Sequence, residues 1–139
     1  MKYDNLILEK KEYAYLKRIL DVSGYSESSE IQKSIIKLNE ELKEARVLKE
    51  DEMPEDVVRF NSKVSIVSDQ GWEKTIQVVI PSERNLQQNK ISILTPMGAA
   101  LFGYATGDPV VWDFPTGKQH LTITAVEQQE NSKGIDVLL

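Results

Sequence analysis

The chain has no cysteine and a single histidine, His120, among its 139 residues. The absence of cysteine excludes disulfides and thiolate-ligated metal sites. A serine–histidine arrangement would depend on this one imidazole, and we interpret His120 as a surface or edge residue of a strand. Glycine-rich phosphate loops, His-Glu-x-x-His and Gly-x-Ser-x-Gly motifs are missing as well. The sequence therefore predicts a protein that is not an enzyme and that holds no cofactor or metal of its own.

Long apolar runs and a surplus of positive charge are also absent. No run approaches the roughly 20 apolar residues that cross a bilayer, and the first residues lack the apolar core of a secretion signal. We therefore expect a cytoplasmic protein without membrane contact. The net charge of −5 argues against stable nucleic-acid binding by the chain alone, because such binding depends on Lys and Arg. A protein partner is the better expectation.

The negative charge is concentrated in residues 40–56, which contain eight acidic and three basic side chains. This composition is typical of a solvated helix end that runs into a linker. A docking surface for a basic partner is the alternative.

Two amphipathic helices are predicted at the N-terminal end. Tyr13, Leu16 and Leu20 share one face of a helix from about Glu9 to Asp21. A second helix is expected over Ser29–Lys49, about 30 Å long. Its apolar seam follows coiled-coil spacing: Ile31, Ile35, Leu38, Leu42 and Ala45. The short connection predicts an antiparallel coiled-coil hairpin, although the seam would also support a homodimer.

Pro54 disfavours helix at the preceding residue, which predicts a hairpin domain over residues 1–52 and a second domain over 53–139. Beyond Pro54, apolar residues tend to recur at every second position. Strands are expected over Lys63–Asp69, Trp72–Ile80, Gln119–Glu127 and, as a last edge strand, Ile135–Leu139. In the Gln119–Glu127 strand, Leu121, Ile123 and Ala125 alternate with Thr122, Thr124 and Val126. An α+β domain follows, in which one short helix covers an antiparallel sheet.

The short helix is predicted between two further strands. Ile91–Leu94 is rich in β-branched residues, which favours a strand. Thr95 is suited to cap a helix, and Pro96 to occupy its first position. Gly103 is a natural stop. After Gly107-Asp108, the next strand places its larger apolar residues on one face: Val110, Trp112 and Phe114.

An ordered series of motifs accompanies these elements: Met53–Val58, Asn61–Val64, Val79–Pro81, Ile91-Ser92, Thr95-Pro96, Gly98–Leu101, Gly107-Asp108 and Pro115-Thr116-Gly117. This series resembles the C-terminal domain of the GreA/GreB transcript-cleavage factors, and most nearly their short Rnk-type members. The resemblance covers roughly residues 42–127. It implies an FKBP-like domain that docks on RNA polymerase near the secondary channel and a protein that regulates transcription elongation.

The resemblance also implies where docking occurs. In the cleavage factors an Asp-Ser-Pro segment before the short helix contributes to docking, and Leu94, Thr95 and Pro96 occupy the matching positions here. With the following Met97, these residues are the docking candidates. The acid is replaced by Leu94, a departure shared with the Rnk-type members. A purely structural role of Thr95 and Pro96 as a helix start is the alternative.

The hairpin tip is the second candidate site that the resemblance implies. In the cleavage factors, acidic residues at this tip help the polymerase to hold a second Mg²⁺. The tip region here offers Asp21, Glu27 and Glu30, which would otherwise serve solubility and capping. The hairpin is short, and these acids do not form a closely spaced pair. Taken with these departures, the resemblance implies a polymerase-binding regulator without catalysis of its own.

Two functions of other classes remain as alternatives. The FKBP-like topology suggests a peptidyl-prolyl isomerase, whose apolar pocket would use the available aromatic residues: Phe60, Trp72, Tyr104, Trp112 and Phe114. A general protein-interaction module is the other alternative.

Overall fold

The computed structural model describes residues 2–22, 29–114 and 117–129. The helices in these ranges are α1 Lys10–Val22, α2 Ser29–Leu42 and α3 Pro96–Leu101. The strands are β1 Ile7–Glu9, β2 Arg46–Leu48, β3 Lys63–Ser68, β4 Glu73–Val79, β5 Lys90–Ser92, β6 Pro109–Phe114 and β7 Gly117–Glu127. Short 3-10 turns occupy Glu50–Glu52, Pro81–Glu83 and Leu86–Gln88.

The second helix is shorter than predicted. After Leu42, the amides of Lys43, Glu44 and Ala45 each donate to a carbonyl three residues earlier, which tightens the last turn. The chain then enters β2, which pairs in parallel with β1. The prediction of a helix up to Lys49 was therefore wrong, and the 14 residues of α2 span about 21 Å. Pairing with the buried lead-in strand β1 overrides local helix preference here.

One apolar core joins the helices to the sheet. Leu16 and Leu20 of α1 belong to the same buried cluster as Ile35, Leu38 and Leu42 of α2. Three residues of the α2 seam are therefore buried within the monomer, and Ile31 and Ala45 are partly buried against the same core. The homodimer alternative stays a prediction. The helices α1 and α2 are in contact. Their antiparallel course, the FKBP-like assignment and the division after residue 52 stay predictions.

The main sheet has the strand order β5-β4-β3-β7-β6. The pairs β3–β4, β3–β7 and β6–β7 are antiparallel, as predicted. The prediction of a wholly antiparallel sheet was wrong at one edge, because β5 runs parallel to β4. The two 3-10 turns between these strands carry the chain back along the sheet, so β5 begins beside Gln77 and ends beside Val79.

A bulge in β7 changes which side chains face the core. Ser65 of β3 is opposite Ala125, but the next residue, Ile66, is opposite Ile123, so Thr124 is an extra residue. Beyond such an insertion, the side chains that would face the core face solvent, and the others face the core. Ala125 is exposed and Val126 packs against the core, the opposite of the predicted pattern.

Several predictions fall on parts of the chain that are not described. The turn residues Pro115 and Thr116 and the last predicted strand, Ile135–Leu139, lie outside the described ranges. The hairpin that joins β6 to β7 is nevertheless confirmed, since Phe114 pairs with Gly117. On β6, Val110 is buried as predicted, whereas the side chains of Trp112 and Phe114 are outside the description.

Candidate functional site

The four docking candidates form the connection between β5 and α3. The strand ends at Ser92, two residues earlier than predicted, and a turn leads to α3. Leu94 is only 7% exposed and belongs to the apolar core, so its side chain is not available to a partner. Thr95, Pro96 and Met97 are half-buried. The structure therefore brings the four residues together and leaves three of them partly exposed.

Thr95 caps α3, as predicted. Its hydroxyl oxygen Oγ1 accepts a hydrogen bond from the Gly98 amide at 3.0 Å and donates its proton to the Ser92 carbonyl at 2.7 Å. Pro96 follows at the start of the helix, where a missing N–H has no cost. The structural role of Thr95 and Pro96 is thus confirmed. Since the hydroxyl proton is engaged, Pro96 and Met97 are the side chains best placed to meet a partner.

Gly98 allows α3 to lie close to β5. A Cβ atom added at Gly98 would lie 2.3 Å from the Ser92 carbonyl oxygen, which is a backbone atom. Contacts of this length do not occur between real atoms of these types, so only glycine fits at this position of the helix. The close approach sets the position of Pro96 and Met97 relative to the sheet.

The second helix of the hairpin is fixed to the same region. Lys37 of α2 donates from Nζ to the Ala99 carbonyl of α3 at 3.3 Å, and it also pairs with Glu41. The Tyr104 hydroxyl donates to Glu41 Oε2 at 2.9 Å. Burial raises the pKa of Tyr104, and the Glu41 carboxylate beside it adds to the rise. These contacts connect α2 to α3 and to Tyr104, which follows that helix.

The tip acids are not brought together by the described structure. Asp21 is exposed in the last turn of α1. Glu27 lies outside the described residues, and Glu30 is described only as part of the α2 backbone. Their use as a set therefore stays a prediction.

Sequence reasoning missed a buried ionic cluster between α1 and the segment before β3. Glu12 is 1% exposed; its Oε1 accepts from Arg59 Nε at 2.5 Å and its Oε2 from the Phe60 amide at 3.0 Å. Arg59 also holds the half-exposed Glu50 through two hydrogen bonds, at 2.6 and 2.9 Å. One signal was available, because Glu12 stands four residues before Leu16 on the apolar face of α1.

The charges of this cluster depend on each other. Burial alone would lower the pKa of Arg59, but the hydrogen bonds and charges of Glu50 and Glu12 raise it above its ordinary value. Burial also raises the pKa of Glu12 to about 7 from its ordinary 4.5, although Arg59 opposes that rise. The folded state therefore binds the Glu12 proton more tightly than the unfolded chain does.

A pH dependence of stability follows from this difference. The contribution of Glu12 to the free energy of unfolding is greatest below about pH 4.5. It decreases by up to about 3 kcal/mol as the pH rises to about 7. Urea denaturation across this range should show the decline. In Glu12→Gln the unfolding free energy should be lower, because the amide nitrogen of glutamine would face one of the two donors, Arg59 Nε or the Phe60 amide. The dependence of that free energy on pH should be much flatter. An equal slope in the variant would contradict the assignment to Glu12.

Phe60, which the isomerase alternative placed in a pocket, is a core residue. It is fully buried, and its ring centroid lies 4.7 Å from that of Phe102 and 6.1 Å from that of Tyr15. Among the described residues, no three His, Cys, Asp or Glu side chains group in a way that would hold a metal ion. None of the helices in the described ranges combines the length and apolarity that a bilayer span requires.

Comparison with known proteins identifies the family of this sequence. Residues 53–128, which contain the docking candidates and α3, match the family "Transcription elongation factor, GreA/GreB, C-term". The chain belongs to the GreA/GreB family of transcription elongation factors.

Individual relatives lead to the same family. The chain is 37% identical over 105 residues to the "Regulator of nucleoside diphosphate kinase" of Escherichia coli K12, covering 73% of this chain and 76% of that protein. It is 34% identical over 121 residues to the transcription elongation factor GreB of Neisseria meningitidis serogroup B, covering 86% and 69% respectively. The structure of a GreA/GreB factor from Nitrosomonas europaea is similar with a TM-score of 0.73 at 28% identity, covering 89% of this chain and 98% of that one.

Proposed function

We propose that this chain is a cytoplasmic regulator that binds RNA polymerase through residues 53–139 near the secondary channel and modulates transcription elongation. The observation that carries the proposal is the family match over residues 53–128, which includes the whole candidate docking segment. Pro96 and Met97 are half-buried, with Met97 packed against the core, and both belong to a helix whose start is fixed by the Thr95 cap. A partner would therefore meet a preformed contact, which lowers the entropy cost of binding.

The hairpin supports regulation rather than catalysis. α2 has 14 residues and ends three residues before β2, and its contact with α3 holds it against the domain proposed to dock. A probe of this length, without a closely spaced acidic pair, would occupy the channel and compete with longer factors. The chain would then carry out no transcript cleavage of its own.

The isomerase alternative is not favoured. Family membership supports a transcription factor, and the buried Phe60 packs against Phe102 instead of lining a pocket. Fold analogy alone is a weak basis for an activity.

Replacing Pro96 with aspartate should weaken binding to core RNA polymerase at least about tenfold, roughly 1.4 kcal/mol. An acid is compatible with the first turn of a helix, so the fold should persist. Gln70→Asp is the matched control, because it adds the same charge in the exposed turn before β4, at the opposite end of that strand from Ser92. Titration of fluorescently labelled protein with polymerase provides the measurement. Equal affinity of both variants and the unchanged chain would overturn this placement of the docking site.

A further inference from the structure

The two edges of the main sheet differ in how they are protected. At one edge β5 has three residues, and its first residue, Lys90, exchanges two backbone hydrogen bonds of 2.9 Å with Asn85 of the preceding loop. At the other edge β6 has six residues, and β7 is the one described strand that pairs with it. Free strand edges pair readily with another chain, so most proteins shorten or cover them. Within the described ranges, β6 is therefore the edge of the main sheet that can accept a further strand.

The register of β6 with β7 determines which backbone groups face this free edge. The Ile123 amide of β7 donates to the carbonyl of Asp108, the residue that precedes β6. Because antiparallel strands exchange hydrogen bonds at every second residue pair, Val110 and the residues two and four positions further along bond to β7. The amides and carbonyls of Val111 and Asp113 point away from β7 instead, and no other residue that the structure describes bonds to them.

The residues of β6 also suit an added strand. Val111 is 49% exposed, on the face of the sheet opposite the buried Val110. Pro109 is exposed at the start of the strand, and its position in the alternation places its missing amide on the free edge, where no donor is lost. β6 contains one charged residue, Asp113, and no lysine, the residue that most often protects such an edge.

We propose that the β6 strands of two copies of this chain pair antiparallel about a twofold axis, with Val111 opposite Val111 of the second copy. Val111 is the middle one of the three residues whose backbone faces the free edge, so this axis brings Pro109 of each copy opposite Asp113 of the other. Each Val111 amide then donates to the Val111 carbonyl of the second copy, and each Asp113 amide donates to the opposite Pro109 carbonyl.

This match of donors to acceptors favours a second copy over another partner. Both outward amides of each β6 strand are satisfied, although Pro109 has no amide to offer in return. The two exposed valine side chains meet across the axis, where β-branched pairs stabilise a sheet. The contact uses neither the α2 seam nor Pro96, and it does not depend on polymerase binding.

The size and charge of the contact determine how strong the dimer is. Four hydrogen bonds along about 20 Å of strand form a small interface, which gives a weak dimer. Each copy carries a net charge of −5, so the two copies repel each other and added salt screens that repulsion. We therefore expect association that salt does not weaken.

Sedimentation velocity of the full chain tests for this dimer. The sedimentation coefficient should rise as the protein concentration increases from about 10 μM to about 1 mM. Association should be at least as strong in about 500 mM salt as in about 20 mM salt. A coefficient that does not change with concentration would overturn the proposal, as would a tenfold weakening by salt, which would indicate an ionic contact instead.

A lysine at the centre of the free edge tests its location. Val111→Lys should weaken association at least about tenfold, because the two charges would meet at the axis. Thr75→Lys is the matched control, since Thr75 is exposed on β4 and separated from β6 by β3 and β7. Far-UV circular dichroism checks that both variants fold. Association that is lost in Thr75→Lys and kept in Val111→Lys would place the contact on the sheet face and overturn the proposal.

A single engineered thiol tests the register, because the chain has no cysteine of its own. Residues opposite each other in a hydrogen-bonded antiparallel pair have Cα atoms about 5.5 Å apart, which a disulfide can bridge. Under mild oxidation Val111→Cys should form a covalent dimer at least about ten times faster than Ser82→Cys. Ser82 is an exposed residue of the Pro81–Glu83 turn, which borders β5 at the other edge. Equal rates in the two variants would contradict the proposed pairing.

Discussion

Replacing Arg59 with alanine is expected to lower the free energy of unfolding by about 3–5 kcal/mol at neutral pH. Arg59 is the cation that faces the fully buried Glu12, and it also holds Glu50 at the surface. Without it, Glu12 would lose a charged donor inside the apolar core and would have to stay buried without its counter-ion or take up a proton. Both outcomes stabilise the folded state less. Urea denaturation monitored by tryptophan fluorescence provides the measurement.

Two control variants separate the buried interaction from surface charge. Glu50→Ala removes the half-exposed partner of Arg59 and should cost no more than about 1 kcal/mol. Arg84→Ala removes an exposed arginine and should be nearly neutral. A loss below about 1 kcal/mol in Arg59→Ala would show that the cluster does not stabilise the junction between α1 and the sheet domain.

The second large effect is expected at Gly98. Alanine at this position would place its Cβ against the backbone oxygen of Ser92, which no side-chain rotation relieves. Either α3 or β5 must shift, and the Thr95 hydrogen bonds to Ser92 and Gly98 would be strained with them. We expect a loss of about 2–4 kcal/mol of unfolding free energy. Polymerase affinity should fall as well, since α3 carries Pro96 and Met97.

Gly71→Ala is the matched comparison for this prediction. Gly71 has a φ of +94° and open space around its Cα, so alanine there is strained but meets no clash. A cost of about 1 kcal/mol is expected at Gly71. If Gly98→Ala were no more destabilising than Gly71→Ala, the close approach of α3 to β5 would not be the constraint that we describe.

The start of α3 and strands β3, β4, β6 and β7 could be predicted because their signals are local. Thr95 and Pro96 together define a helix start, and the positions found in the structure agree with this. Alternating apolar residues likewise identified β3 and β4. In such segments the residues that determine the structure lie within a few positions of each other.

The errors arose where distant parts of the chain determine the structure. α2 ends early because residues 46–48 pair with β1, almost 40 positions earlier in the chain. The parallel course of β5 and the extra residue Thr124 in β7 also depend on neighbouring strands. No local pattern reports such pairings.

The candidate docking segment was accessible to sequence reasoning because its four residues are consecutive. The burial of these residues could not be predicted from the sequence, since Leu94 enters the core only through the turn after β5. The Glu12–Arg59 pair joins residues 47 positions apart, and a charged residue on an apolar helix face was its only sign.

Competitive binding to RNA polymerase tests the central claim most directly. The purified chain would be titrated into core polymerase that holds a labelled GreB-type factor, and release of the label would be followed. We predict saturable displacement at micromolar concentrations, with Pro96→Asp at least about tenfold weaker. Failure of the unchanged, folded chain to displace the factor would contradict the account, because two proteins that dock near the same channel must exclude each other.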